Sequence, residues 1–201
     1  MPSVLYPAIA AVMEGRLDEA VVRRLFAEHG VSPYAVHVKD GKTSVRAKIR
    51  GNNRSAGHLR WLVLVDLDRE FGCAPELVRN WLPDPAAYLR LRVAVRAVES
   101  WLLADGANLG RYLGAPLGAI PAAPDSPDDP KAAMLALAAR SRHRVVREDM
   151  LPAAGSKIKT GPAYNARLIG FVERYWQPAA AASIWPSLRR TRRSLAELIR
   201  T

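Results

Sequence analysis

The chain has 201 residues, of which 49% are hydrophobic, and its 30 Lys and Arg against 19 Asp and Glu give a net charge of +11 and a pI near 10.4. A single cysteine excludes internal disulfides and a cysteine-rich zinc module. No apolar run reaches the roughly 18 residues that a membrane span requires. We therefore expect a globular cytoplasmic protein that prefers polyanionic partners, although an arginine-rich solvated surface has the same composition.

The first half of the sequence alternates apolar runs of strand length with segments of helical periodicity. The runs predict strands at 4–13, 34–38, 61–65 and 88–95, the first being a strand rather than a signal peptide. Helical spacing predicts helices at 17–30, 75–81 and 98–104. The segment 41–60 is basic and predicts a surface helix or an ordered loop. This alternation predicts an α/β fold with a mainly parallel sheet flanked by helices.

The second half of the sequence is predicted to be helical. Residues 114–130 are rich in Pro and Asp, which favours a long loop, and helical patterns follow at 131–140, 164–176 and 188–199. We expect an α/β core over 1–113, a loop over 114–130 and a basic helical annex over 131–201 that packs on the core.

Three carboxylates stand where predicted strands end. Asp66 and Asp68 are two residues apart, so in a continuing strand they would point to the same side of the sheet. Glu14 follows the first strand, and ligands of open α/β sheets bind at the carboxyl ends of strands. An oxygen-only cluster suits Mg²⁺, which shares its shell with substrate phosphates. The alternative is a strand end whose aspartates only pair with arginines.

The same residues resemble the motifs of the TOPRIM domain, which topoisomerases, bacterial primases and overcoming-lysogenization-defect nucleases share. The segment Glu14-Gly15-Arg16-Leu17-Asp18 is similar to its first motif, with Leu17 where Thr is often found, and the apolar strand ending in Asp66-Leu67-Asp68 is similar to its second. The resemblance implies a TOPRIM-like, Rossmann-like core. It also implies that Asp66 and Asp68 carry Mg²⁺ or Mn²⁺ and that Glu14 is a metal ligand or a general acid/base.

A second resemblance covers most of the chain. It rests on the run 92–96, on the segment 99–105 and on Asp129-Pro130-Lys131. These features are similar to those of small, stand-alone bacterial TOPRIM-like proteins of undefined function, so this second resemblance implies no particular reaction.

Several further residues are candidates for the site. Glu99 would be either a fourth metal ligand or a helix cap, and Lys131 would stabilise the charge that develops on a phosphoryl group. The candidate catalytic set is therefore Glu14, Asp66, Asp68 and Lys131. The candidate contacts to nucleic-acid phosphates are Lys42, Lys48, Arg50, Arg54, Arg92, Arg96, Lys157 and Lys159.

These features favour a Mg²⁺-dependent nuclease, or the nuclease subunit of a bacterial defence or DNA-processing system whose ATPase is a separate chain. One alternative is a non-catalytic subunit that binds nucleic acid or a partner ATPase through its basic surface. Another is phosphoryl transfer on a small nucleotide or an RNA end. The sequence does not distinguish DNA from RNA and leaves the oligomeric state open.

Overall fold

The fold is built on a four-stranded parallel sheet. The computed structural model describes residues 7–116, 118 and 129–200. The strands are β1 (Ile9–Met13), β2 (Ala35–Val38), β3 (Arg60–Asp66) and β4 (Leu89–Ala94). They lie in the order β2-β1-β3-β4, and every neighbouring pair is parallel. Because β1 and β3 are neighbours with the same direction, the residues that follow them meet at one edge of the sheet.

Helices flank the sheet and make up the C-terminal part of the chain. The first four are α1 (Arg16–Ala27), α2 (Lys42–Ser55), α3 (Ala74–Trp81) and α4 (Val98–Leu103). They are followed by α5 (Gly106–Leu113), α6 (Pro130–Ala139), α7 (Arg144–Met150), α8 (Tyr164–Arg174), α9 (Pro178–Ile184) and α10 (Pro186–Arg200). The prediction of an α/β fold with a parallel sheet, flanking helices and a helical C-terminal part is confirmed.

Successive side chains of β3 point to opposite faces of the sheet, and a hydrophobic core covers each face. Leu62 and Leu64 belong to the core shared with α1, α4 and the C-terminal helices, whereas Val63 and Val65 belong to the core shared with α2 and α3. All four side chains are fully buried. Burial of a leucine of this kind contributes about 2 kcal/mol. A continuous apolar strand is therefore stable here because both of its faces are covered.

Two tryptophans attach the C-terminal helices to the rest of the fold. The indole N–H of Trp176 donates to the carbonyl of Trp101 in α4 at 3.3 Å, and that of Trp185 donates to the carbonyl of Val95 at 2.9 Å. Both side chains are buried, as is Trp101. Trp176 and Trp185 are therefore core residues that pack the C-terminal helices against α4 and the end of β4.

Some predicted elements differ from the structure. The first strand begins at Ile9 rather than at residue 4, and residues 1–6 lie outside the described part. Helices α5, α7 and α9 were not predicted, since each has only seven or eight residues and too few turns for a clear apolar period. The predicted loop 114–130 falls largely on residues 117 and 119–128, which are outside the described residues.

Across 7–116, 118 and 129–200, no helix combines the length and the apolar character that a bilayer crossing demands.

Candidate functional site

Glu14 and Asp66 lie side by side at the carboxyl edge of the sheet. Glu14 directly follows β1 and Asp66 is the last residue of β3. The backbone N–H of Asp66 donates to Oε1 of Glu14 at 3.1 Å. Oδ1 of Asp66 in turn accepts from the backbone N–H of Val98, at the start of α4, at 3.0 Å. The parallel pairing of the two strands thus brings these two carboxylates together.

Two more carboxylates lie deeper at the same edge. Asp18, in the first turn of α1, is 7% exposed and accepts from the backbone N–H of Gly15 at 2.9 Å. Glu99, in the first turn of α4, is 4% exposed and accepts from the hydroxyl of Tyr164 at 3.2 Å. No role was predicted for Asp18. The sequence feature that could have identified Asp18 is its spacing. It lies four residues after Glu14, so the first turn of the following helix brings it back beside the end of the strand.

Burial and mutual repulsion raise the pKa values of these acids. Burial is the largest cause for Asp66, whose pKa lies well above its usual range, and the charges of Asp18, Glu99 and Glu14 raise it further. Burial, followed by the charges of Glu14 and Glu99, raises the pKa of Asp18 to about 7. The pKa of Glu14 is raised mainly by burial, which the hydrogen bond from Asp66 partly offsets. The charged forms of these acids are therefore unfavourable in the metal-free protein.

Only one of these four acids has an ion-pair partner among the described residues. Among the described residues, no Lys, Arg or His nitrogen lies within 4.0 Å of a carboxylate oxygen of Glu14, Asp18 or Asp66. The ammonium of Lys131 is 4.0 Å from Oε1 of Glu99. Within the described residues, the acidic groups at this edge thus outnumber the basic side chains that pair with them.

Asp68 lies on the rim and does not continue the strand, so the predicted alternation from Asp66 to Asp68 is wrong. Strand β3 ends at Asp66, and Asp68 adopts a left-handed backbone with φ of 53°. Its carboxylate is exposed and lies 3.3 Å from the ammonium of Lys42, which is also 3.4 Å from Glu70. Arg96 donates to the backbone carbonyl of Asp68 at 3.1 Å. The turn therefore places Asp68 against cations at the edge of the acidic cluster.

The cluster opens into a cavity of about 610 Å³. Its acidic lining includes Glu14, Asp18, Asp66, Asp68 and Glu99. Its basic lining includes Arg16, Arg69, Arg96, Lys131 and Lys159. A cavity with an acidic floor and basic groups around it can hold a cation together with an anionic group bound to that cation.

The structure separates the predicted phosphate contacts into two sets. Arg96 and Lys159 line the cavity, and Lys42 stands at its rim beside Asp68. The others are not among the residues that line it. Lys48, Arg50 and Arg54 are exposed along α2, Lys157 is exposed in the loop before α8, and Arg92 lies in β4.

The carboxylates are not arranged as a closed metal cage. In the part of the chain that the structure describes, no three His, Cys, Asp or Glu side chains are grouped as metal ligands. Glu14, Asp18 and Asp66 each accept a backbone N–H, and Asp68 faces Lys42. The donor set still fits Mg²⁺ or Mn²⁺, since Mg²⁺ retains several waters and commonly takes only one or two carboxylates from the protein.

Comparisons of the chain with protein-family models, with curated proteins and with solved structures found no match.

Proposed function

We propose that this chain is a TOPRIM-like, Mg²⁺- or Mn²⁺-dependent phosphodiester hydrolase, acting in the bacterial cytoplasm as a nuclease or as the nuclease subunit of a defence or DNA-processing system. One observation carries the proposal. Asp66, Glu14, Asp18 and Glu99 concentrate negative charge at one edge of the sheet, and the first three have no cation within 4.0 Å among the described residues. Such a cluster is stabilised by a divalent cation.

Glu14 and Asp66 are the residues best placed to hold the metal, with Asp68 joining from the rim once its carboxylate turns away from Lys42. Asp18 and Glu99 add negative charge beneath them. A bound Mg²⁺ or Mn²⁺ would supply Lewis-acid polarisation of a phosphoryl oxygen. The requirement for hard oxygen ligands is met, because every acidic group of the lining is a carboxylate.

The remaining residues of the cavity fit a phosphodiester. Lys131, Lys159 and Arg96 line the same cavity and would bind the non-bridging oxygens, where charge builds up during transfer. Oε1 of Glu14 is occupied by the N–H of Asp66, so its Oε2 would accept a proton from the attacking water. Hydrolysis requires only a metal ion, carboxylates and an activated water.

The test is cleavage of labelled DNA and RNA oligonucleotides by the purified chain in Mg²⁺ and in Mn²⁺, with Asp66→Asn beside the wild type. The matched control is Asp84→Asn, which changes an exposed aspartate outside the cavity. We expect cleavage by the wild type and the control that EDTA abolishes, and loss of cleavage in Asp66→Asn. Equal cleavage by all three proteins would reject the assignment.

The second candidate is a non-catalytic subunit that binds nucleic acid or an ATPase partner. It is favoured by Lys48, Arg50 and Arg54, which are exposed along α2 outside the cavity. In that case, metal-independent and salt-sensitive binding would survive the combined variant Glu14→Gln/Asp66→Asn/Asp68→Asn, and no oligonucleotide would be cleaved.

A further inference from the structure

Arg92, in the edge strand β4, is half-buried, and its guanidinium has no hydrogen-bond or ion-pair partner among the described residues. Its Nε is buried and makes no hydrogen bond, and the group forms no ion pair with any residue that the structure describes. Leaving a charged N–H buried without an acceptor is costly. The carboxylate cavity does not account for this arrangement, since Arg92 is not among the residues that line it.

Other arginines surround Arg92. Arg90 precedes it by two residues in β4 and therefore lies on the same face of the strand. The pKa of Arg92 is lowered first by burial and then by the charges of Arg190 and Arg90. The carboxylate that opposes this effect, Glu197, also accepts a hydrogen bond from Arg193 at 3.1 Å. The surroundings of Arg92 are therefore positive and suited to an anion.

Helix α10 runs along β4 in the opposite direction. At its start, Oγ of Ser187 lies 3.4 Å from the backbone nitrogen of Val95, just beyond the carboxyl end of β4. Towards its end, the carbonyl of Leu198 accepts from Arg60, the first residue of the neighbouring strand, at 2.7 Å. Arg190 belongs to the first turns of this helix and is exposed beside the strand. Arg90 and Arg92 thus follow one another in a line along the strand, with Arg190 nearby, and the Arg90 guanidinium also donates to the carbonyl of Ala87 at 2.7 Å.

This line leads towards the carboxylate cavity. Beyond the carboxyl end of β4 the chain reaches Arg96, which lines the cavity and donates to the carbonyl of Asp68. Residues two apart in a strand are separated by about 6.6 Å along its axis. Consecutive phosphates of one extended nucleic-acid strand have a comparable separation, so Arg90 and Arg92 can each meet one phosphate.

We propose that Arg90, Arg92 and Arg190 bind the phosphate backbone of a single-stranded nucleic acid and guide it past Arg96 into the carboxylate cavity. The proposal deepens the nuclease function and rests on it for the role of the cavity. A single strand fits better than a duplex because Arg92 is recessed between strand and helix while Arg190 is exposed. A flexible strand can bend a phosphate into that recess, whereas a duplex is stiff over far longer distances.

The experiment measures binding without cleavage. Fluorescence anisotropy of a labelled oligothymidylate of roughly 20 nucleotides is recorded in EDTA from about 50 to 200 mM KCl. The variants are Arg92→Met, Arg190→Gln and their combination. The matched control, Arg79→Gln, removes an exposed arginine from α3 on the other face of the sheet. A duplex of the same length is titrated in parallel.

We expect the double variant to bind the single strand roughly tenfold more weakly at about 100 mM KCl. The log–log salt slope should fall by about 1.4, because each lost phosphate contact on a single strand contributes about 0.7. Arg79→Gln should change neither quantity, and the wild type should prefer the single strand. Thermal melting checks folding, and Arg92→Met should keep or raise Tm because it removes an unpartnered buried N–H.

The proposal is overturned if the double variant keeps the wild-type affinity and salt slope, if Arg79→Gln weakens binding as much, or if the duplex binds as tightly as the single strand. If Arg92→Met does not fold, the affinity and salt slope of Arg190→Gln alone test the proposal, because the side chain of Arg190 is exposed and its replacement should not affect folding. These outcomes are independent of catalysis. Failure of the nuclease function would appear as absence of cleavage in Mg²⁺ and Mn²⁺ and would leave the EDTA binding data unchanged.

Discussion

The backbone N–H of Asp66 donates to Oε1 of Glu14 at 3.1 Å, and this hydrogen bond joins the carboxyl ends of two adjacent parallel strands. It fixes one oxygen of Glu14 and holds both carboxylates at the floor of one cavity. In the proposed mechanism, Oε1 positions the side chain and Oε2 accepts the proton.

That separation predicts the behaviour of Glu14→Gln. The amide oxygen can still accept from Asp66, so the fold should persist, but the side chain can no longer take a proton or offer a charged ligand. We expect cleavage to fall by roughly 10² to 10⁴-fold in kcat with a Tm close to that of the wild type. Steady-state cleavage kinetics and thermal melting measure both. Cleavage at the wild-type rate would remove Glu14 from the mechanism.

Asp18 predicts how stability depends on pH in the metal-free protein. Its pKa is about 7 in the folded chain, against an ordinary value of 3.8. Between these values the folded state binds more protons than the unfolded state, so stability present at low pH is lost as pH rises through about 7. Asp18→Asn removes this titrating group. We therefore expect the decrease in the free energy of unfolding between pH 4 and 7 to be smaller in the variant than in the wild type, by on the order of 2 kcal/mol.

Urea unfolding in EDTA at several pH values measures this effect, with Asp84→Asn as the control for an exposed aspartate. A pH dependence that is identical in wild type and Asp18→Asn would show that Asp18 is not protonated in the folded protein at neutral pH.

The hydrogen bond from Tyr164 to Glu99 predicts that removing the hydroxyl of Tyr164 lowers the stability of the fold. Tyr164 is 2% exposed and donates to Glu99, which is itself buried. Tyr164→Phe leaves that carboxylate without this donor, so we expect the free energy of unfolding to fall by about 1–3 kcal/mol. The matched control is Tyr175→Phe, at a tyrosine that is 49% exposed. Equal stability of the two variants would mean that the hydrogen bond contributes nothing.

Much of the sheet could be predicted because its strands are either uniformly apolar or clearly alternating. The run ending in Asp66 predicted β3 within a residue or two at each end, since a strand covered on both faces must be apolar throughout. The sequence did not establish that β1 and β3 are neighbours, so the meeting of Glu14 with Asp66 depended on a strand order that only the structure gives. The short helices α5, α7 and α9 are stabilised by tertiary packing and leave little periodic signal.

The site was harder to predict in detail. Asp68 was assigned to the strand because the spacing from Asp66 continued the alternation of the sequence. In the structure it adopts a left-handed backbone and contacts Arg96 and Lys42 from other segments. Asp18 was overlooked because a carboxylate in the first turn of a helix is ordinarily explained by the helix dipole. Only the folded chain shows that it is buried against other acids.

Binding of Mn²⁺ to the EDTA-treated protein, followed by electron paramagnetic resonance, tests most directly whether the carboxylates at the sheet edge hold a divalent cation. We predict saturable binding with a Kd below about 1 mM in the wild type and in Asp84→Asn, and a loss of that binding in Asp66→Asn. Absence of bound Mn²⁺ in the wild type, or undiminished binding in Asp66→Asn, would contradict the proposed metal-dependent chemistry.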